Sequence, residues 1–232
     1  MKNYHVVIPA AGQGKRMKTG RNKQFLLIDH IPLLVHTLRV FEEDLLCSEI
    51  VLVVNQEEIA MMKDLMKEYS IAKVSHFVVG GKERQNSVHE GLKVLSGNPV
   101  VLIHDGARPF IRIQVIKELV ASVEETGAAI VGVPVKDTIK QVNGTLVAKT
   151  VERNHLWSIQ TPQAFYLKNI LQAHETAVKQ GYIGTDDASL MEYMNQPVSI
   201  IEGGYDNFKV TTPEDLLFAE AIIQKRKGEK ES

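Results

Sequence analysis

Residues 9–17 read Pro-Ala-Ala-Gly-Gln-Gly-Lys-Arg-Met. Gly12 and Gly14 let backbone amides approach an anion with no Cβ in the way, which a phosphate-binding loop requires. The segment fits neither of two common nucleotide fingerprints. Met17 stands where the dinucleotide motif has its third glycine, Pro9 stands at the first glycine of a Walker loop, and Arg16 follows Lys15. Charge adds what the glycines lack. Lys15, Arg16, Lys18, Arg21 and Lys23 place five cations within nine residues with no acid among them. A triphosphate is the natural partner, and a solvated basic loop is the bland alternative.

Two further segments carry groups suited to the same chemistry. The run Val101-Leu102-Ile103-His104-Asp105-Gly106-Ala107-Arg108-Pro109 is an apolar strand ending in an acid, two small residues and an arginine. Asp105 can bind Mg²⁺, which bridges phosphate oxygens through one or two carboxylates, and Arg108 can clasp a phosphate. Equally, Asp105 can cap the following turn and pair with Arg108. In Gly80-Gly81-Lys82-Glu83-Arg84-Gln85-Asn86-Ser87 the glycines let a flat base lie against the backbone, or simply make a strand-to-helix turn. The eight histidines show no HxxxH or HExxH grouping, which leaves a zinc site without support. There is no GxSxG elbow, and Cys47 follows Leu45-Leu46 in an apolar run that reads as a buried, inert thiol. No nucleophile for a covalent mechanism stands out.

These groups need a frame. Runs rich in β-branched residues at Val6 to Ile8, Ile50 to Val54, Phe77 to Val79, Val100 to His104 and Ala129 to Val135 read as strands. Amphipathic stretches at Leu33 to Asp44, Glu57 to Tyr69, Arg84 to Leu95 and Ile113 to Thr126 read as helices covering them. The alternation predicts an α/β fold with a mainly parallel sheet flanked by helices, with ligands at the carboxyl ends of the strands. After Val135 the pattern breaks. Ile139 to Val147 carries Asn143-Gly144 between two short β-prone runs, which predicts a tight hairpin. A two-stranded ribbon is marginal alone, so it must pack on its own domain or on a second copy of the chain. Its interruption of a regular α/β succession favours the second copy. Leu167 to Gln180, Asp186 to Met194 and Pro213 to Lys225 then read as helices and Val198 to Ile201 as a strand, with Lys225 to Ser232 a charged, frayed tail.

Bulk composition limits the partners. The 232 residues are expected to form one domain, residues 1–232, with an arm inserted at about 136–154. Lys and Arg total 27 against 28 for Asp and Glu, so no overall positive field draws the chain to nucleic acid or an anionic membrane. No apolar run approaches a membrane span, Val6 to Ile8 meets Pro9 too soon for a signal peptide, and a single cysteine suits a reducing compartment. The cytoplasm is the expected location.

The segments PAAGQGKRM, NKQF, GGKERQNSV, HDGARPF, VKDTIK, TPQAF, TDDAS and NFKVTTPED occur in an order and spacing that closely resembles the 2-C-methyl-D-erythritol 4-phosphate cytidylyltransferases across nearly the whole chain. The ribitol 5-phosphate cytidylyltransferases share much of this set. The resemblance implies transfer of the CMP moiety of CTP to a polyol phosphate with release of pyrophosphate, in the non-mevalonate isoprenoid pathway. It also implies a Rossmann-like nucleotidyltransferase fold with a protruding β-hairpin arm, a homodimer clasped by those arms, and a requirement for Mg²⁺. Residue by residue, it implies that Ala10, Ala11, Gly12 and Gly14 line the CTP site while Gly81, Lys82 and Ser87 frame the cytosine. Arg16 and Lys23 match positions credited with stabilising the transition state. Asp105 and Arg108 match positions near the ribose, the metal and the acceptor. Thr138 and Arg153 match arm residues that reach the acceptor of the neighbouring subunit, Lys209 matches a second positioning cation, and Thr161 and Thr185 are further carry-overs. One departure is visible: many relatives have proline before the lysine of the second segment, where this chain has Asn22. Two rival readings are ribitol 5-phosphate as acceptor and a module that senses CTP without turnover. The joint presence of Arg16, Lys23 and Lys209 argues against the second.

Overall fold

The computed structural model describes residues 2–12 and 23–231. Gly14 and Arg16 lie outside the described residues, as do Lys15, Lys18 and Arg21. The chain runs β1 (Tyr4–Pro9), a short 3-10 turn (Lys23–Phe25), β2 (Leu27–Ile28), β3 (Ile31–Pro32), α1 (Leu33–Glu43), β4 (Cys47–Val54), α2 (Ile59–Glu68), β5 (Val74–Val79), α3 (Arg84–Lys93) and β6 (Val100–Ile103). It continues through α4 (Ile113–Thr126), β7 (Ala128–Pro134), β8 (Ile139–Asn143), β9 (Leu146–Val151), β10 (Trp157–Tyr166), α5 (Leu167–Gln180), α6 (Ala188–Tyr193), β11 (Ser199–Glu202) and α7 (Pro213–Glu231).

The central sheet has the order β11-β7-β10-β6-β1-β4-β5. All neighbours are parallel except β10, which runs antiparallel between β6 and β7. The mainly parallel sheet expected from the sequence is therefore present. Alternation along β1 explains the two helical layers: Tyr4, Val6 and Ile8 join Leu34, Leu38, Met62, Ile116 and Leu119 on one face, while Val7 joins Val88, Leu92, Ile170 and Ala173 on the other. Gly91 of α3 lets that helix close on the sheet, since a Cβ there would lie 2.6 Å from Val7 Cγ1 and 2.7 Å from Val53 Cγ2.

Because β1 pairs with β4 on one side and β6 on the other, the succession reverses direction at β1 and opens a crevice at the carboxyl ends of β1 and β6. A third apolar cluster, with Ile28, Leu33, Ala107, Phe110, Val210, Ala219 and Ile223, ties the loop after β6 to α7.

The structure corrects the sequence reading in three places. Strand β10 was not expected, because its sequence is rich in polar residues and carries Pro162, which cannot donate to a ladder. The sheet accommodates it with a break in register against β7 between Ile159 and Gln163. The C-terminal residues expected to fray continue α7 to Glu231, with an i,i+4 contact between Lys225 and Glu229 at 3.8 Å. The hairpin β8–β9 forms, but its two-residue turn is Gly144-Thr145, with Asn143 paired to Leu146. Gly144 has φ 58°, which suits the first central position of a type II′ turn. The hairpin pairs only with itself and exposes Val142, Leu146 and Val147.

Candidate active site

Three loops at the carboxyl edge meet in the crevice. After β1, Ala10 is buried and its amide donates to Val53 O at 2.7 Å, which holds Ala11 and Gly12 at the strand end. After β5, the Gly80 amide donates to Val54 O at 2.9 Å. A Cβ on Gly80 would lie 2.7 Å from Ala11 Cβ and 2.9 Å from Ser87 Oγ. Glycine is needed here because the first and third expected segments pack directly on each other. Ser87 is buried, and its hydroxyl accepts from the Gly81 amide at 3.1 Å, closing the turn before α3. Lys82 is exposed beside it. Ala11 and Ser87 thus meet across Gly80, with Ala10, Gly12, Gly81 and Lys82 beside them along the two loops.

The loop after β6 is fixed from beneath by a buried hydrogen-bond chain. Thr161 Oγ1 accepts from the Asp105 amide at 3.0 Å and lies 3.2 Å from His104 Nδ1. His104 Nε2 lies 2.9 Å from Arg108 O, a carbonyl that can only accept, so Nε2 carries the proton and Nδ1 accepts from Thr161. Burial pulls the fully enclosed His104 imidazole down to about 4, and the ring is neutral at pH 7. Thr37 Oγ1 donates to Gly106 O at 3.0 Å from the other side. A Cβ on Gly106 would lie 3.1 Å from Leu34 Cδ1, so α1 packs close against this turn.

Above this base Asp105 is surrounded by cations. Lys209 Nζ lies 2.9 Å and Arg108 Nε 3.4 Å from Oδ2, and Arg84 Nε lies 3.5 Å from Oδ1. Burial pushes the carboxyl up, but the charges of Arg84, Lys209 and Arg108 outweigh it and hold the group well below the usual carboxylate range. Arg108 Nη1 also donates to Asn207 O at 2.9 Å. Lys23 Nζ donates to Val210 O at 3.3 Å, next to Lys209, and the Val210 amide donates to Ala107 O at 2.9 Å. Lys23, Asp105, Arg108 and Lys209 therefore come together in one chain.

The remaining expected residues stand elsewhere. Thr161 lies under the Asp105 turn, where its hydroxyl is used by Asp105 and His104. Thr185 is exposed in the loop before α6, which Gln85 fastens to α3 by accepting from the Gly184 amide at 2.9 Å. Thr138 and Arg153 are exposed at the base of the hairpin, where Arg153 Nη1 donates to Lys136 O. Among the described residues no group of three His, Cys, Asp or Glu side chains could hold a metal ion. Asp105 is a carboxylate at the floor of the crevice, and an Mg²⁺ that arrives on phosphates needs one or two protein carboxylates.

Sequence reasoning missed several working groups. Arg84 links Asp105 to the buried Asp187, with Nη1 2.7 Å from Asp187 Oδ2. Gln163 holds the Asp187 and Ala188 amides at 3.1 and 3.0 Å. Asn207 Nδ2 donates to Gln160 Oε1 and Thr161 O. Arg84 stands between Glu83 and Gln85 and Asp187 follows Asp186, so no local apolar pattern marks them as inward-facing. The expectation for Cys47 agrees with its place: it is buried, and burial pushes the thiol up to about 12.

The chain can now be set beside known proteins. A family model described as 2-C-methyl-D-erythritol 4-phosphate cytidylyltransferase matches residues 4–225. The protein of that name from Geobacillus kaustophilus is 55% identical over 227 residues, covering 98% of this chain and 100% of the relative. That from Halalkalibacterium halodurans is 54% identical, covering 96% and 98%. Among solved structures, the 4-diphosphocytidyl-2C-methyl-D-erythritol synthase of Anaerococcus prevotii superposes with a TM-score of 0.84 at 32% identity, covering 96% of each chain. The cytidylyltransferase of Thermus thermophilus gives 0.79 at 31%, covering 94% and 98%. A match that runs from the first strand into the last helix, in sequence and in fold alike, places this chain in the 2-C-methyl-D-erythritol 4-phosphate cytidylyltransferase family.

Proposed function

We propose that this chain transfers the CMP moiety of CTP to 2-C-methyl-D-erythritol 4-phosphate, giving 4-diphosphocytidyl-2-C-methyl-D-erythritol and pyrophosphate in non-mevalonate isoprenoid precursor biosynthesis. The observation that carries the reading is the convergence of Lys209, Arg108 and Arg84 on Asp105 at the carboxyl edge of the sheet, in a chain of this family. Ribitol 5-phosphate is not favoured as acceptor, since the relatives at 55% identity carry the methylerythritol name.

The acceptor phosphate attacks the α-phosphorus of CTP in line as pyrophosphate leaves. A phosphate monoester with a second pKa near ~6 is already largely dianionic at neutral pH, so no strong base is needed. Positioning and charge neutralisation are the task. Ala10, Ala11, Gly12 and Gly14 take the triphosphate side, and Gly81, Lys82 and Ser87 take the base. Lys23 and Arg16 offset charge on the α-phosphate, while Lys209 and the partner copy's arm, through Thr138 and Arg153, orient the acceptor. Asp105 would hold Mg²⁺, which would supply charge neutralisation to the phosphates. Arg108 and Thr185 face the acceptor or ribose, and Thr161 serves by holding Asp105. Residues 1–232 act as one nucleotidyltransferase unit, paired with a second copy through the arms about 136–154, in the cytoplasm. No helix among the described residues is long and apolar enough to cross a membrane.

The test offers each nucleoside triphosphate with each candidate acceptor and Mg²⁺ and measures pyrophosphate and coupled product. CTP with the methylerythritol phosphate is expected to give both. CTP binding without pyrophosphate for any acceptor refutes the enzymatic reading and favours a sensor. Lys23→Ala is expected to lower turnover at saturating CTP by about 10²-fold or more; near-normal turnover removes its role.

A further inference from the structure

The two oxygens of Asp105 are served unequally. Oδ2 takes Lys209 at 2.9 Å and Arg108 at 3.4 Å, whereas among the described residues Oδ1 faces Arg84 Nε, at 3.5 Å. That distance is long for a charge-assisted bond, which runs about 2.7–2.9 Å. Arg84 is drawn the other way, since its Nη1 makes the short contact, 2.7 Å, to Asp187 Oδ2. Asp187 is fixed in place: its side chain is 1% exposed, and Gln163, itself buried in β10, accepts from the amides of Asp187 and Ala188. Its other oxygen faces His174 Nε2 at 3.7 Å, longer than a hydrogen bond, so Arg84 is the strong side-chain partner of this buried carboxylate. The guanidinium fork thus spans two carboxylates and is committed to one of them.

We propose that Asp187 is a positioning residue that competes with Asp105 for Arg84, keeping Asp105 Oδ1 available to the incoming nucleotide. In its absence the guanidinium is free to swing onto Asp105 as a two-pronged pair and close that oxygen. The inference rests on the assignment of Asp105 to the nucleotide site made above. It differs from a simple packing role for the Arg84–Asp187 pair in one respect: removing Arg84 repairs the damage done by removing Asp187.

The experiment titrates CTP with excess MgCl₂ into the full-length chain by calorimetry, with circular dichroism melting of every variant. Asp187→Asn, which keeps the size and an acceptor oxygen, is expected to weaken CTP binding by roughly tenfold or more. The double variant Arg84→Gln with Asp187→Asn is expected to bind CTP at least about threefold more tightly than Asp187→Asn alone, a coupling that only interacting residues show. Unchanged binding by D187N overturns the inference, as does a double variant as weak as D187N. If D187N does not fold, Gln163→Leu, which releases the Asp187 amide, and Gln163→Leu with Arg84→Gln form the same cycle with the same expectation. Failure of the unaltered chain to bind CTP refutes the functional reading itself, whereas binding by that chain without the rescue refutes only the role of Asp187.

Discussion

Thr161→Val removes one oxygen and keeps the shape of the side chain. That oxygen accepts from the Asp105 amide at 3.0 Å and donates to His104 Nδ1 at 3.2 Å, and Thr161 is only 6% exposed. The change leaves a buried N–H and a buried imidazole nitrogen without partners, each costing about 1–3 kcal/mol, for a total of about 2–6 kcal/mol. In a chain of this size that lowers the melting midpoint by roughly 4–24 °C. The amide concerned belongs to Asp105, so kcat/KM is expected to fall by about tenfold or more as the carboxylate and its cations shift. Thr161→Ser, which restores the hydroxyl, should recover most of both losses. Urea denaturation and pyrophosphate release under one set of conditions read the two effects. A Thr161→Val chain within about 0.5 kcal/mol of the parent shows that the chain of bonds contributes nothing. Destabilisation with full kcat/KM shows that it supports the fold and not the site.

His104 gives a pH prediction with a definite sign: its folded value of about 4 lies below the ordinary ~6.5, so the unfolded chain binds the proton in between. Its contribution, about 3 kcal/mol, is full above pH ~6.5 and is lost as pH falls towards 4; urea midpoints at pH 7 and 4.5 should separate accordingly, and less so in His104→Gln. Gly80→Ala drives a Cβ against Ala11 and Ser87 and is expected to cost about 1–3 kcal/mol and raise the KM for CTP, with an unaltered KM refuting a role for this contact in the CTP site. If arms complete the partner's site, mixing inactive Lys209→Ala and Arg153→Ala chains under exchange should restore about a quarter of the sites, and no recovery on mixing removes the sharing.

Much of the frame was legible because periodicity reports burial. Leu167 to Gln180 and Ile113 to Thr126 were bounded as the structure has them, since their apolar spacing begins and ends with the helix and each is followed by a glycine in the left-handed region, Gly181 and Gly127. Strand β10 was not legible, because Gln160, Thr161 and Gln163 face buried partners rather than solvent, and a polar run with proline reads as loop. The same inversion hid the site's support. Asp187, Gln163, Asn207 and His104 are polar residues that bond other polar residues far along the chain, and one sequence carries no mark of such pairs. Asp105 and Arg108 were legible because they follow a buried strand, where a parallel sheet presents its ligands. The hairpin turn was found but set one residue early, since Asn-Gly and Gly-Thr suit different two-residue turns and the flanking pairing decides between them.

The local charge explains how a chain with formal net charge −1 can receive a triphosphate. Arg84, Arg108 and Lys209 converge on Asp105, Arg84 also reaches the neighbouring Asp187, and Lys23 sits on Val210 O beside Lys209, four cations near two carboxylates. Four like charges brought together in a partly enclosed crevice repel one another, and an anion is needed to hold them in place. Asp105 supplies that counter-charge, and its depressed pKa means that it does so throughout the neutral range. The cations are thus arranged before any phosphate arrives, which removes reorganisation from the reaction. A phosphate that enters finds donors already aimed, and it need only displace their contacts with a single carboxylate. Asp187 sets the limit on that displacement: Arg84 has a second anchor at 2.7 Å and stays in place when Asp105 is engaged, whereas Lys209 is held at 2.9 Å by Asp105 itself.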